Sequence, residues 1–280
     1  MNKTAVLIGL GAMLLASAGA VGWLNSPPEG EPNAAPAGLG GGLPIPPLPT
    51  RLPVSERYDR CLSAVNDDPS RAMADADSWW RETGEVAARH CLALAELGLG
   101  RGAAAAALLE ALADTAATPL LAPVRATMFD QASQAWLLAG RLEAAYAAAS
   151  KAVALAPDNP DLWLDRAAVA VAQLRYQPAI DDFTQAYQRD TSRTDILVRR
   201  AATFRMLGRL EAAGGDVARV LAADPDNAEA LLERGVLRQR AEDVEGARGD
   251  WERVIAVAPD SQTADLATQD LALLDAGPIR

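Results

Sequence analysis

Apolar and small residues recur at helical spacing along the second half of the chain, and the pattern repeats every 34 residues. One alanine marks each unit, and a small or β-branched residue follows it seven positions later. These positions are Ala145, Ala179, Ala213 and Ala247, followed by Ala152, Ala186, Val220 and Val254. Each unit closes with turn residues, as in the segment Ala156-Pro157-Asp158-Asn159. Helical periodicity that is interrupted in this way predicts paired α-helices.

Three further positions recur in the units 126–159, 160–193, 194–227 and 228–261. A small residue lets two helix backbones approach, and large residues fill the space beside the crossing. The opening apolar residues are Phe129, Trp163, Leu197 and Leu231. The small eighth residues are Ser133, Ala167, Ala201 and Gly235, and the packing residues of the second helix are Ala149, Phe183, Val217 and Trp251.

This layout resembles the tetratricopeptide repeat (TPR), a helix-turn-helix unit that stacks into an array. The resemblance covers residues 126–261. It implies an all-α fold, namely a right-handed superhelix or α-solenoid. Some positions depart from the pattern: Thr191 replaces the closing proline, Ala149 is small, and Arg200 and Arg234 take a position where leucine is usual.

The first 53 residues have a different composition. A basic start at Lys3, an apolar run and the exit Ala18-Gly19-Ala20 predict a signal peptide over residues 1–20 and a periplasmic protein. The alternative is an uncleaved anchor running on through Leu24, which would hold the protein in the inner membrane facing the periplasm. Residues 21–53 are rich in proline and glycine, which predicts a disordered linker or a proline-rich ligand.

Residues 54–122 return to a helical pattern, with a degenerate repeat, an insertion near Thr115 and the two cysteines of the chain. In an exported protein, Cys61 and Cys91 are expected to form a disulfide. Residues 262–280 are expected to form a C-terminal helix that covers the last repeat. Trp79 and Trp80 are adjacent, so one of them is a candidate anchor for a partner or packs against a neighbouring loop.

Composition narrows the function. A net charge of −11 argues against nucleic-acid binding and disfavours an anionic membrane surface. His90 is the single histidine, and its neighbour Cys91 would point in another direction on a helix, so no metal site is expected. The sequence contains neither a nucleophile motif nor a phosphate-binding loop, which predicts a protein that is not an enzyme and needs no cofactor.

The TPR resemblance implies that the first helices of the units line a concave groove that binds a protein or peptide. By repeat position the groove residues are Asp130, Gln134, Leu137, Leu164, Ala168, Val171, Val198, Ala202, Arg205, Leu232, Val236 and Gln239. Arg205 is expected to be a solvated cation that grips a partner's carboxylate. The lysine and asparagine clamp of cytosolic co-chaperones is missing at Asp130, Gln134 and Asp195. The acidic residues that open the units are explained by the helix dipole or form a row at the mouth of the groove.

These features predict a protein–protein interaction scaffold or adaptor in the bacterial cell envelope. The alternative is a substrate-recruiting helper subunit of an envelope enzyme complex, for peptidoglycan or cytochrome maturation. A membrane is expected as a partner only if the N-terminal segment is an uncleaved anchor.

Overall fold

The structure is a computed structural model, and it describes residues 55–114 and 120–276. Within these ranges it contains 13 α-helices and no strand. They are α1 (Glu56–Asp67), α2 (Pro69–Thr83), α3 (Val86–Gly98), α4 (Gly102–Asp114), α5 (Ala122–Leu138), α6 (Leu142–Leu155), α7 (Pro160–Ala172), α8 (Tyr176–Arg189), α9 (Thr194–Met206), α10 (Leu210–Ala223), α11 (Ala228–Arg240), α12 (Val244–Val257) and α13 (Gln262–Ala276). The expected signal peptide and linker lie outside the described residues.

The turn residues between units begin the helices in a specific way. Asn159 precedes α7, and its side chain accepts a hydrogen bond from the backbone N–H of Asp161 at 3.0 Å. Asn227 caps α11 by accepting from the N–H of Ala230 at 3.0 Å. Pro160 occupies the first turn of α7, where no backbone donor is needed. These caps satisfy helix donors that would otherwise lack partners.

The turn between the two helices of each unit contains one residue in the left-handed region. It is Gly140 in the first unit, Leu174 in the second, Gly208 in the third and Glu242 in the fourth, with φ between 60° and 80°. Gly100 has the same conformation, with φ of 73°, between α3 and α4. The α3–α4 hairpin therefore turns in the same way as the four repeats.

The helix crossings bury the small residues of the repeat pattern. Ala145, Ala179, Ala213 and Ala247 are all fully buried. In the fourth unit, Gly235 faces the indole ring of Trp251, and a Cβ at this position would overlap the ring. The smallest residue of one helix therefore lies opposite the largest residue of the other, as the repeat pattern requires.

Each helix packs on the next along the chain, from α2 through α13. First helices also contact first helices of neighbouring units, since α5 contacts α7 and α9 contacts α11. Contacts of this kind, made only between neighbours, build an α-solenoid. The predicted all-α solenoid is confirmed.

The N-terminal hairpins are fixed to the array by a disulfide and a buried hydrogen-bond chain. Cys61 of α1 and Cys91 of α3 are bonded, with a Cα–Cα distance of 6.3 Å. Beside them, His90 lies between the hydroxyl of Tyr58, at 2.6 Å from Nδ1, and Oε1 of Gln131, at 2.7 Å from Nε2. This chain joins α1, α3 and α5. None of the described helices is both long enough and apolar enough to cross a bilayer.

Candidate functional site

The first helices of the four units, α5, α7, α9 and α11, form one face of the array. Contacts between first helices join α5 to α7 and α9 to α11, and α11 contacts α13. Among the described residues, no two second helices pack as closely. The array therefore curves towards the first helices, and we call this inner surface the concave groove.

The 12 predicted groove residues lie on these four helices but differ in exposure. Gln134, Leu137, Ala168, Val171, Ala202 and Leu232 are half-buried, and Gln239 is exposed. Asp130, Leu164, Val198, Arg205 and Val236 are buried. The half-buried set is mainly apolar and runs along the groove. Binding at this face stays a prediction.

Arg205 corrects the expectation of a solvated cation. Its side chain is 5% exposed, and its Nε lies 2.5 Å from Oε1 of Glu233 on the next first helix. Burial raises the pKa of Glu233, and the charge of Arg205 opposes this rise. Burial also raises the pKa of Asp270 on α13 to about 6, again opposed by Arg205. Arg205 is therefore enclosed by acidic groups of the protein, and its guanidinium is not offered to a partner.

A pair of carboxylates lies at the other end of the groove. Asp130 is buried, and its Oδ2 accepts a hydrogen bond from Nε2 of Gln134 at 3.0 Å. Its Oδ1 is buried without a hydrogen-bond partner. Burial and the adjacent carboxylate of Asp165 raise the pKa of Asp130 well above its usual range. Burial also raises the pKa of Asp165, with which Asp130 shares a hydrogen bond. The two groups are close enough to compete for one proton.

Two arginines lie near this carboxylate pair. Arg193 is bound to other groups, since Nη1 contacts Oδ1 of Asp161 at 2.9 Å and Nε contacts Oδ1 of Asp195 at 2.8 Å. Arg199 is exposed and forms no ion pair among the described residues, although its charge acts on Asp165. Arg199, rather than Arg205, is therefore the exposed cation of the groove.

Asp165 and Arg199 were absent from the predicted groove, although the sequence contained a signal for them. They occupy the same position in successive units, 34 residues apart, and Glu233 follows after another 34. This position carries the charged groups that meet between neighbouring first helices.

A second repeated feature was also missed. Arg200 of α9 binds Asp216 of α10 through two hydrogen bonds of 2.7 Å. The same bidentate pair is formed by Arg166 with Asp182 and by Arg234 with Asp250. In the first unit the corresponding residues are Ala132 and Ala148, both fully buried. An arginine followed 16 residues later by an aspartate is the sequence signal of this pair.

His90 and the cysteines have structural partners. His90 is buried, and burial lowers its pKa. The described part of the chain contains no group of three or more histidine, cysteine, aspartate or glutamate side chains arranged to hold a metal. The Cys61–Cys91 disulfide is present in the structure, as expected from the sequence.

Comparison with solved structures gives the context of the fold. The C-terminal part of a TPR repeat-containing protein from Cytophaga hutchinsonii is similar over 79% of this chain and 96% of its own, with 14% identity and a TM-score of 0.59. YrrB, a TPR protein with an unusual peptide-binding site, matches over 69% of this chain and 97% of its own, with 19% identity and a TM-score of 0.52. MamA matches over 59% and 94%, with 14% identity and a TM-score of 0.51.

Comparison by sequence adds no relative. No protein-family profile matches the chain, and no curated protein is similar to it. The repeat pattern, the stacked hairpins and the structural neighbours nevertheless agree. The chain has the tetratricopeptide-repeat fold.

Proposed function

We propose that the protein is an interaction scaffold that binds an extended segment of a protein partner in the concave groove, in the bacterial cell envelope. The observation that carries this proposal is the row of half-buried apolar side chains along the first helices. Val171 and Leu232 pack partly on the core and leave the rest of their surface to solvent. A segment lying there would bury this apolar surface, the general driving force of association.

The structural neighbours support a binding role without defining the ligand. YrrB is described as having a peptide-binding site, and it shares the fold of this chain. The groove presents side chains of several types but no arranged nucleophile, base and orienting group among the described residues. We infer a binding protein rather than an enzyme.

The envelope location is part of the proposal and rests on the sequence of residues 1–20. Sequencing the N-terminus of protein recovered from the periplasm tests it. A start at Val21 supports export with cleavage. An intact Met1 in the membrane fraction supports the anchored alternative, and recovery from the cytoplasm would remove the envelope from the proposal.

Site-specific photo-crosslinking tests the binding face. A benzoylphenylalanine at Val171, half-buried in the groove, should form an adduct with an envelope partner. The same group at Gln188, exposed on α8, is the matched control and should form none. Adducts at Gln188 but not at Val171 would show that the groove is not the binding face. An adduct with an envelope enzyme would favour the helper-subunit alternative.

A further inference from the structure

The carboxylates of Asp130 and Asp165 face each other across two neighbouring repeats in the groove. Asp130 lies on α5, and Asp165 lies on α7. Asp130 is 8% exposed and Asp165 is half-buried, so the pair has a deep member and a member that reaches the groove surface. A ligand group that enters from the groove would meet Asp165 first and Asp130 behind it.

The deep carboxylate has an unmet need. Oδ2 of Asp130 accepts a hydrogen bond from Gln134, but Oδ1 is buried and has no partner. A buried polar atom without a partner costs free energy, and a second carboxylate beside it adds repulsion. A positively charged donor between the two groups would satisfy Oδ1 and remove the repulsion.

The surrounding charges leave this donor to be supplied from outside. Arg193 is occupied by Asp161 and Asp195. Arg199 acts on Asp165 through its charge, but its guanidinium forms no ion pair with Asp165. Asp161 acts on both members of the pair and adds further negative charge. This end of the groove is therefore complementary to a cation.

We propose that the Asp130–Asp165 pair is an anchor for a cationic side chain, an arginine or a lysine, of the partner segment that lies in the groove. This inference rests on the proposed function and names the chemistry of its ligand. An arginine suits the pair because its planar fork can donate to both carboxylates at once. The apolar groove residues would hold the rest of the segment.

The raised pKa of Asp130 is consistent with this role, because the empty pair resists carrying two negative charges. A bound cation would favour the doubly ionised pair, so binding would release a proton to solvent. The anchor differs in sign from a carboxylate-binding clamp, since here the protein supplies the carboxylates.

Selection from a library of random displayed peptides on the full chain tests the proposal. We expect the selected peptides to be enriched in arginine or lysine. Replacing that arginine by citrulline, or that lysine by acetyl-lysine, keeps the shape and removes the charge. The affinity measured by calorimetry should then fall by at least about tenfold.

Variants locate the effect. In Asp130→Asn/Asp165→Asn, the charged and uncharged peptides should bind equally. This variant should fold at least as well as the parent, because it removes a buried repulsion. Asp181→Asn, at an exposed aspartate of α8, is the matched control and should keep the full preference. Arg199→Gln should strengthen binding of the charged peptide, since it removes a competing cation near Asp165.

The outcomes separate this inference from the proposed function. Selected peptides without basic residues, or equal affinity for the charged and uncharged forms, would overturn the cationic anchor and leave peptide binding in place. A preference that survives in the double variant would also overturn it. If the full chain selects no peptide, both the anchor and groove binding by extended segments fail.

Discussion

Arg200 and Asp216 form a bidentate ion pair that closes the third repeat from inside. The guanidinium is 12% exposed and the carboxylate 8%, and both hydrogen bonds measure 2.7 Å. Arg200 also lies over the ring of Phe204, with 5.8 Å between Cζ and the ring centroid. The arginine that looked like a departure from an apolar position is therefore paired, stacked and part of the core.

Removing one partner of this pair should destabilise the array strongly. Arg200→Leu leaves the buried carboxylate of Asp216 without its cation, a change that costs about 3–5 kcal/mol. Urea denaturation followed by circular dichroism measures the loss. The neighbouring Arg199→Leu, at an exposed position, is the control and should change the stability by less than about 0.5 kcal/mol.

Removing both partners should restore most of the stability. The double variant Arg200→Leu/Asp216→Ala has no uncompensated charge, and replacing a buried pair by apolar groups is often neutral or better. The first repeat already holds Ala132 and Ala148 at these positions. A double variant as unstable as Arg200→Leu would show that the pair itself, rather than the stranded carboxylate, carries the effect.

Gly235 and Trp251 make a second prediction. A methyl group at Gly235 would overlap the indole ring, so Gly235→Ala should cost about 1–3 kcal/mol by overpacking. Adding Trp251→Phe should recover much of this loss, because Ala167 and Phe183 already form such a crossing in the second repeat. Thermal melting of the parent, single and double variants checks this. No recovery in the double variant would mean that the two crossings are not equivalent.

Asp270 should make stability depend on pH. Burial raises its pKa to about 6 in the folded protein, so between this value and its ordinary pKa the folded state binds more protons than the unfolded state. Stability should therefore fall as pH rises through this window. Asp270→Asn should remove this slope and increase stability at pH 7 by up to about 3 kcal/mol. Urea midpoints at pH 4.5 and 7 measure the slope, and an unchanged slope in the variant would contradict the assignment.

The disulfide gives a fourth prediction. Cys61 and Cys91 enclose a loop with a sequence separation of 30 residues, so Cys61→Ala/Cys91→Ala should lose about 3–4 kcal/mol. The parent should react with iodoacetamide only after reduction. Mass spectrometry reports the number of modified cysteines. Rapid alkylation without reductant would show that the thiols are free.

The fold was predictable because each position of a 34-residue unit has the same neighbours in every repeat. Small residues at the crossings and capping residues at the ends, such as Ala179 and Asn159, fixed the register without knowledge of distant contacts. Ala179 is fully buried, as that register requires.

The electrostatics of the groove was less predictable. Whether Arg205 is solvated depends on Glu233, which lies 28 residues further along the chain, and on Asp270 of the last helix. The contact between Asp130 and Asp165 likewise depends on how two repeats are rotated against each other. Helical periodicity describes one helix face, whereas these contacts are set by the angle between helices.

The left-handed turn inside each unit restricts how the length of this chain can change. One residue inserted into such a turn would rotate the second helix by about 100° and move its alanine out of the crossing. Between Gly100 and Gly140 the interval is 40 residues instead of 34, and the extra residues fall in the link between α4 and α5 and in the first turn of α5. Insertions are thus accommodated between hairpins, and growth by duplication must proceed in whole repeats.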